Sequence, residues 1–394
     1  FSYHISHNFT HQTLGDRMRY SLRILVILLG LLSLVEITPQ TKVTANEVGD
    51  FSCGLAPIKK GDLWGFMDVN GKIVIDIKYG YYFVQTPTFS EGLVPLHDNE
   101  NDKWGYLDTT GKVVIPFKYG YAGIFSDGIA FVYDKSNVGA GKTEYCFIDK
   151  SGKITIPSTF INRTDTEHQL FKHNRFPAWD NKASSYGYID GTGKMVTSTG
   201  FYEPRPFSEG LAAVQQDFKW GFIDTTGKVV IPFQFTMEPG PFINGRSRVQ
   251  GTNFKFGFID TKGNVVVEPK YQELYPFTDE ITCGSFVNEK FMTEYEMLDR
   301  DGKVVKKWTR PKNVTDYALI SGFVDGLAIA RKDFKIGYVD KTGKVIIDYQ
   351  FQVAKPFKNG RAYAELYDKK TNKKTTGFID KKGKFVIITE MPQF

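Results

Sequence analysis

Residues Phe207–Phe233, FSEGLAAVQQDFKWGFIDTTGKVVIPF, define a unit that recurs along the chain from Phe51 to the C-terminus. A unit this short cannot bury its own apolar faces. It must stack on copies of itself, which confines the chain to repeat architectures. The second half reads as two β-prone runs, Lys219–Asp224 and Val229–Pro232, around the turn Asp224-Thr225-Thr226-Gly227. Asp first and Gly fourth fit a type I turn ending in a left-handed residue, the three-residue hairpin with a G1 bulge. That turn predicts Asp224 facing Lys228, Ile223 facing Val229, Phe222 facing Val230 and Gly221 facing Ile231. Both faces of the hairpin are then apolar, so both should be covered. The bare position at Gly221 is expected to admit a large group from the neighbouring unit. The first half, Phe207–Val214, reads as a Gly-bearing turn leading into a strand, so the unit is a three-stranded meander.

The F-x-x-G motif recurs at Phe51–Gly54, Phe89–Gly92, Phe125–Gly128, Phe207–Gly210, Phe242–Gly245, Phe323–Gly326 and Phe357–Gly360. Two copies are altered. Phe171–Asn174 ends in Asn, which tolerates the left-handed region, and Phe277–Glu280 ends in Glu, which signals a changed turn. The D-x-x-G turns alternate with these motifs at Asp68, Asp108, Asp149, Asp190, Asp224, Asp260, Asp299, Asp340 and Asp380, spaced 34 to 41 residues apart. Nine units follow. Trp-Gly is intact at Trp64, Trp104 and Trp220; Tyr145-Cys146 and Tyr295-Glu296 lose the Gly.

The pattern K-W-G-[FY]-[IL]-D-x-x-G-K-V-V-I-P alternating with F-S-[ED]-G-[LI]-A resembles the WG-repeat (KWG-repeat) family of bacterial proteins, over Phe51 to about Ile388. The resemblance implies tandem β-rich repeats, often exported and presumed to bind other molecules, and it supplies no catalytic residues to carry over. The fold expected is all-β: a tandem array of nine three-stranded β-meander repeats, open or incompletely closed and solenoid-like, with a closed β-propeller-like ring as the alternative. The open form is favoured because the chain starts and ends in phase, with no strand visibly shared between its termini.

Residues 1–17 are read as an upstream extension preceding Met18. Arg19 and Arg23 before the apolar run Ile24–Val35 give residues 18–45 the form of a signal peptide, with Val43-Thr44-Ala45 as a small-residue cleavage site. Twelve apolar residues are short for a membrane span. Residues 46–50 are a linker, and 51–394 the repeat domain.

Candidate chemistry is sparse. Gly139-Ala140-Gly141-Lys142-Thr143 echoes a phosphate loop, but Ser136 stands where its first Gly belongs and a strand follows instead of a helix, so no nucleotide is expected. Each D-x-x-G-K turn offers one carboxylate beside a Lys, which suits turn bonding rather than calcium. Cys53, Cys146 and Cys283 have neither disulfide nor zinc spacing, Cys146 reads as a small buried residue, and His168 and His173 read as surface residues. No metal, cofactor, catalytic or binding residues are assigned, and no enzyme activity is expected. The net charge of +6 includes a lysine-rich stretch, Lys369–Lys384, which suits acidic glycans or lipid headgroups or a solvated end-cap; nucleic acid is not expected. Insertions concentrate in the loop before the Trp-Gly strand, Asp134–Glu144 and Tyr367–Thr376, and mark one rim as a binding edge.

The expectation is therefore a monomeric, secreted or periplasmic, non-enzymatic protein binding a protein or cell-envelope glycan, with membrane contact only through the signal segment. The alternatives are an extracytoplasmic polysaccharide-acting enzyme and a structural spacer. Exposed aromatics on the insertion rim would favour glycan binding, and two carboxylates facing across a groove the enzyme.

Overall fold

A computed structural model describes residues 40–82, 86–134, 144–156, 171–180, 182–197, 200–309 and 317–391. Among these residues the regular structure is entirely strand, 32 strands in nine small sheets, and no helix is long and apolar enough to cross a membrane. The all-β tandem array of meanders expected from the sequence is what the structure shows. Residues 135–143, with Lys142, and His168 lie outside the described residues.

The fifth unit shows the construction. Strands Leu211–Gln216, Lys219–Asp224 and Val229–Phe235 form one antiparallel sheet. The turn is the expected one. Gly227 has φ 88°, its N–H donates to the Asp224 carbonyl at 2.9 Å, and the Asp224 N–H donates to the Lys228 carbonyl at 2.9 Å. The Asp224 carboxylate accepts from the Thr226 N–H, the Thr226 hydroxyl and the Lys228 N–H.

Beyond the first pair the register departs from expectation. Ile223 pairs with Val229, but Phe222 pairs with Ile231 and Trp220 with Phe235, because the third strand bulges twice. The bulges bring that strand's own backbone against Gly221. A Cβ there would meet the Ile231 carbonyl oxygen at 2.7 Å. The same carbonyl contact recurs at Gly65, Gly105, Gly257, Gly337 and Gly377. The Trp-Gly glycine thus accommodates a bulge within its own unit, not a group from the next unit.

The F-x-x-G motif is a two-residue hairpin turn. Glu209 and Gly210 both take positive φ, 52° and 82°, and Ser208 and Leu211 exchange backbone hydrogen bonds, as a type I′ turn requires. In the fourth unit His173 and Asn174 hold the same conformation at φ 54° and 55°. The seventh unit lacks it: Asp279 and Glu280 do not take positive φ.

Units join through this motif. The aromatic after the Trp-Gly position packs on the motif Phe of the next unit, as in Phe66–Phe89, Tyr106–Phe125 and Phe222–Phe242, with ring centroids 4.8 to 4.9 Å apart. Ser208 donates its hydroxyl to the Phe242 carbonyl at 2.6 Å, and the Glu209 carboxylate accepts from the Gly245 N–H at 2.7 Å.

The same contacts join the ends of the array. Phe378 of the ninth unit packs on Phe51 of the first at 4.9 Å. Arg361 donates to the Val69 carbonyl in the first unit's turn, as Arg175 does to Thr225 and Arg246 to Arg300 between consecutive units. Strand Thr41–Thr44 pairs in parallel with the ninth unit's outer strand, Phe385–Glu390. The ninth unit therefore packs against the first. The pairing also makes residues 41–44, ten residues before Phe51, part of the array. The junction is not a copy of the others. Lys358 stands where Ser208 stands in the fifth unit and pairs with Asp50 at 2.9 Å.

Candidate functional site

Chain direction gives every unit two ends. The first strand runs from the F-x-x-G turn to a hairpin tip, and the second runs back to the D-x-x-G turn. The turns of adjacent units touch each other, so among the described residues the turns lie at one face and the tips at the other.

The turn face is interlocked and polar. Besides the arginine and motif contacts, Lys150 donates to the Glu91 carbonyl and Lys381 to the Asp325 carbonyl of the preceding unit. Hydrogen bonding from Thr226 holds the Asp224 carboxyl below the usual carboxylate range, and Asp108 is held down likewise by Thr110. These aspartates are committed to their turns. Among the described residues no group of three or more His, Cys, Asp or Glu is arranged to hold a metal.

The tip face is variable and carries exposed aromatic rings. Every strongly exposed aromatic side chain among the described residues sits there: Tyr82, Tyr202, Phe218, Phe254, Phe291, Phe334 and Tyr367. The four phenylalanines occupy the tips of the fifth to eighth units at 84%, 78%, 92% and 75% exposure, and all have positive φ. Sequence reasoning overlooked them, although the string [DN]-F-K recurs at Asp217, Asn253 and Asp333, just before the Trp-Gly position.

A cavity of about 620 Å³ opens at the same face, where the ninth unit meets the first. Its walls come from the base of the Tyr367–Thr376 insertion, the end of the outer strand and the crossing segment Ala45–Val48. The polar lining is tied in pairs: Glu365 to Lys374 at 2.8 Å and Glu390 to Lys42 at 2.7 Å. The bond from Lys374, joined by the Tyr363 hydroxyl, lowers the Glu365 pKa. Thr376 and Thr389 add hydroxyls, and Val48 and Ile388 apolar wall.

The altered seventh unit carries a second polar cluster. Glu296, in the glycine position, is 3% exposed. It accepts from the Tyr271 hydroxyl at 2.6 Å and pairs with Lys270 of the sixth unit at 2.8 Å. Burial pushes its pKa up, but the bonds from Lys270 and Tyr271 outweigh burial and leave it lowered. The third strand there has one register shift instead of two, which leaves room for a side chain. This cluster is a strut between units.

A model of the WG containing repeat matches residues 46–64, 64–95, 104–135, 186–220, 220–250, 256–282 and 336–369, more than half of the chain. The chain belongs to the WG-repeat family. The WG-repeat model passes over residues 136–185 and 283–335, which hold the altered third, fourth and seventh units. No curated protein matches the chain. Among solved structures, one described as a eukaryotic initiation factor is 10% identical with a TM-score of 0.50, covering 84% of this chain and 92% of that one. This likeness is one of fold alone. The tricorn protease (15% identity, TM-score 0.23, 82% and 39% covered) and Hsv2p of Kluyveromyces lactis (9%, 0.33, 67% and 98%) are looser and bear on nothing further.

Of the residues singled out in the sequence, Cys146 and Cys283 are buried and Cys53 is exposed. Burial pushes the Cys283 thiol up to about 12. His173 is a structural partner, with its Nε2 facing the Gly210 N–H at 3.3 Å.

Proposed function

We propose that this WG-repeat protein is an exported, non-enzymatic binding protein that holds a cell-envelope glycan in the cavity of the ninth unit. The observation that carries this reading is the cavity itself. It lies on the insertion-bearing face and is lined by hydroxyls, lysines and carboxylates over an apolar wall, a mixture that suits a polyhydroxylated ligand. Glu365 and Glu390 are each neutralised by a lysine at hydrogen-bond distance. That arrangement favours holding a ligand over transferring protons, which needs a carboxyl group poised near the working pH. The turn face supports the same division of labour, since its polar groups are consumed in joining units.

A glycan array with the purified protein, run beside a pull-down from envelope extract, tests the proposal. Glycan capture is expected, and Lys374→Ala with Thr376→Ala should weaken it roughly tenfold, the loss of one or two hydrogen bonds to a charged and a polar group. Capture of proteins alone, or glycan capture indifferent to both substitutions, would sink it.

A further inference from the structure

We propose that the fifth to eighth units seat the molecule on the surface of a lipid bilayer bearing anionic headgroups. This goes beyond the glycan reading, which concerns a different sector of the tip face, and adds a membrane contact separate from the N-terminal segment.

The first observation is placement. Phe218, Phe254, Phe291 and Phe334 hold the tips of four successive units. Equivalent tips of stacked units project from one face, so the four rings form an arc along it; the seventh unit's hairpin, with seven paired rungs against six in the fifth and eighth, carries Phe291 furthest out.

The second is backbone conformation. Asp217-Phe218 and Asp333-Phe334 each fill both positions of a tight turn with φ of 48° and 59°, and 51° and 61°. Such turns select Asn-Gly or Asp-Gly, and a bulky residue in the left-handed region is strained. Turn chemistry alone would favour glycine at 218 and 334. Retained strain in an exposed side chain points to a use outside the fold.

The third is charge. Each ring has a lysine beside it in the chain: Phe218–Lys219, Phe254–Lys255, Lys290–Phe291 and Phe334–Lys335. With Lys332, five lysines stand against Asp217, Glu289 and Asp333.

These features fit a bilayer better than other partners. The rings stand one per unit at 75% to 92% exposure, with Tyr202 stacked beside Phe218, so a folded protein would need a matching pocket at each of four tips. A bilayer interface deforms around apolar side chains wherever they fall, and anionic headgroups attract the adjoining lysines. The apolar wedge with a neighbouring cation is the arrangement by which a soluble surface rests in the headgroup region.

The test uses the full chain with vesicles of phosphatidylcholine mixed with phosphatidylglycerol, and vesicles of phosphatidylcholine alone. Amide hydrogen exchange is followed at residues 217–219, 253–255, 289–291 and 333–335. Exchange at these tips should slow with the mixed vesicles and change less with phosphatidylcholine alone, while the D-x-x-G turns stay unchanged. Because the tips are read directly, binding through the N-terminal segment does not imitate the result. Replacing all four phenylalanines by glycine should abolish the protection and lower vesicle partitioning roughly tenfold or more, in a variant that melts no lower than the parent. Unchanged tip exchange with the mixed vesicles overturns the proposal. So does partitioning unaffected by the four substitutions, and so does slowing by a soluble glycan or an envelope protein in place of vesicles.

Discussion

The two ends of each hairpin carry opposite kinds of residue. At the turn end the sequence repeats, because each residue touches its counterpart in the next unit. Phe207 takes the ring of Tyr188 from the fourth unit, and Ser208 and Glu209 reach the sixth. A change there must satisfy two neighbours. At the tip end the contacts between neighbours differ from unit to unit, Tyr82 with His97 and Asn99 at one and Tyr202 with Phe218 at another, and the units diverge: glycine at 61, phenylalanine at 218 and 254, a lysine-bearing loop at 369–372. The turn end makes the array, and the tip end is free to differ.

The sharpest break of this contrast is between two phenylalanines eleven residues apart. Phe207→Ala removes a ring 2% exposed at a junction between units and should cost about 3–5 kcal/mol in equilibrium unfolding. Phe218→Ala should change stability by less than about 0.5 kcal/mol. Similar losses at both sites would mean that the tips carry structural load.

Next in size is Gly221→Ala. The new Cβ would stand 2.7 Å from the Ile231 carbonyl oxygen, so the third strand must shift and lose its bulge, at about 1–3 kcal/mol. The seventh unit shows the alternative solution, a side chain at Glu296 with a straighter third strand. A crystal structure of the variant should show its third strand straightened in the same way, and a neutral substitution with the bulge intact would refute the account.

What the sequence made legible follows the same division. Local turn chemistry could be read directly: Asp224 and Gly227 announce their turn, and nine turns in phase with nine F-x-x-G motifs announce the array. The bulges could not be read, because Val229-Val230-Ile231-Pro232 alternates well enough to suggest a regular ladder, and only the strand's path to Phe235 shows the three extra residues. The junction of the ends was hidden for a different reason. Thr41–Thr44 pairs through its backbone and buries little beyond Val43, so it carries no copy of the repeat to announce it. The cavity was half legible, since its insertion is visible in the sequence but its other wall comes from that unannounced segment. The exposed phenylalanines were legible in principle, but [DN]-F-K stands beside the conspicuous Trp-Gly and reads as strand when taken with it.

Asp224→Ala sharpens the comparison further. The turn loses an acceptor for three donors, all at an exposed site that water can reach, at about 1 kcal/mol near neutral pH. The sign of the pH effect follows from the lowered pKa of Asp224, caused first by the Thr226 hydroxyl. A carboxyl whose folded pKa is depressed stabilises the fold above its unfolded value and loses that contribution as pH falls through the folded value. The same direction holds for Asp108, Asp149, Asp190 and Asp340. The melting temperature should therefore hold steady through mildly acid pH and fall once pH drops below about 4. Asp224→Ala should flatten part of that fall. A melting temperature that rises on acidification would overturn the assignment of these carboxyls to their turns.

The smallest expected effect has the opposite sign and separates the two ends most cleanly. Phe218→Gly removes an exposed ring and relieves a left-handed backbone, φ 59°. Relief for a non-glycine residue in that region is worth about 1–2 kcal/mol, and the added freedom of glycine in the unfolded chain takes back roughly 0.5–1 kcal/mol. A net gain of about 0.5 kcal/mol should appear as a higher melting temperature. At the turn end the logic reverses, because Glu209, also left-handed at φ 52°, returns its strain through the bond its carboxylate accepts from Gly245. Glu209→Gly should relieve the same strain yet gain nothing, since that junction between units is lost with the carboxylate. If both substitutions stabilise equally, the junction bond contributes nothing. If neither stabilises, the tip conformation is unstrained and its phenylalanine implies no use outside the fold.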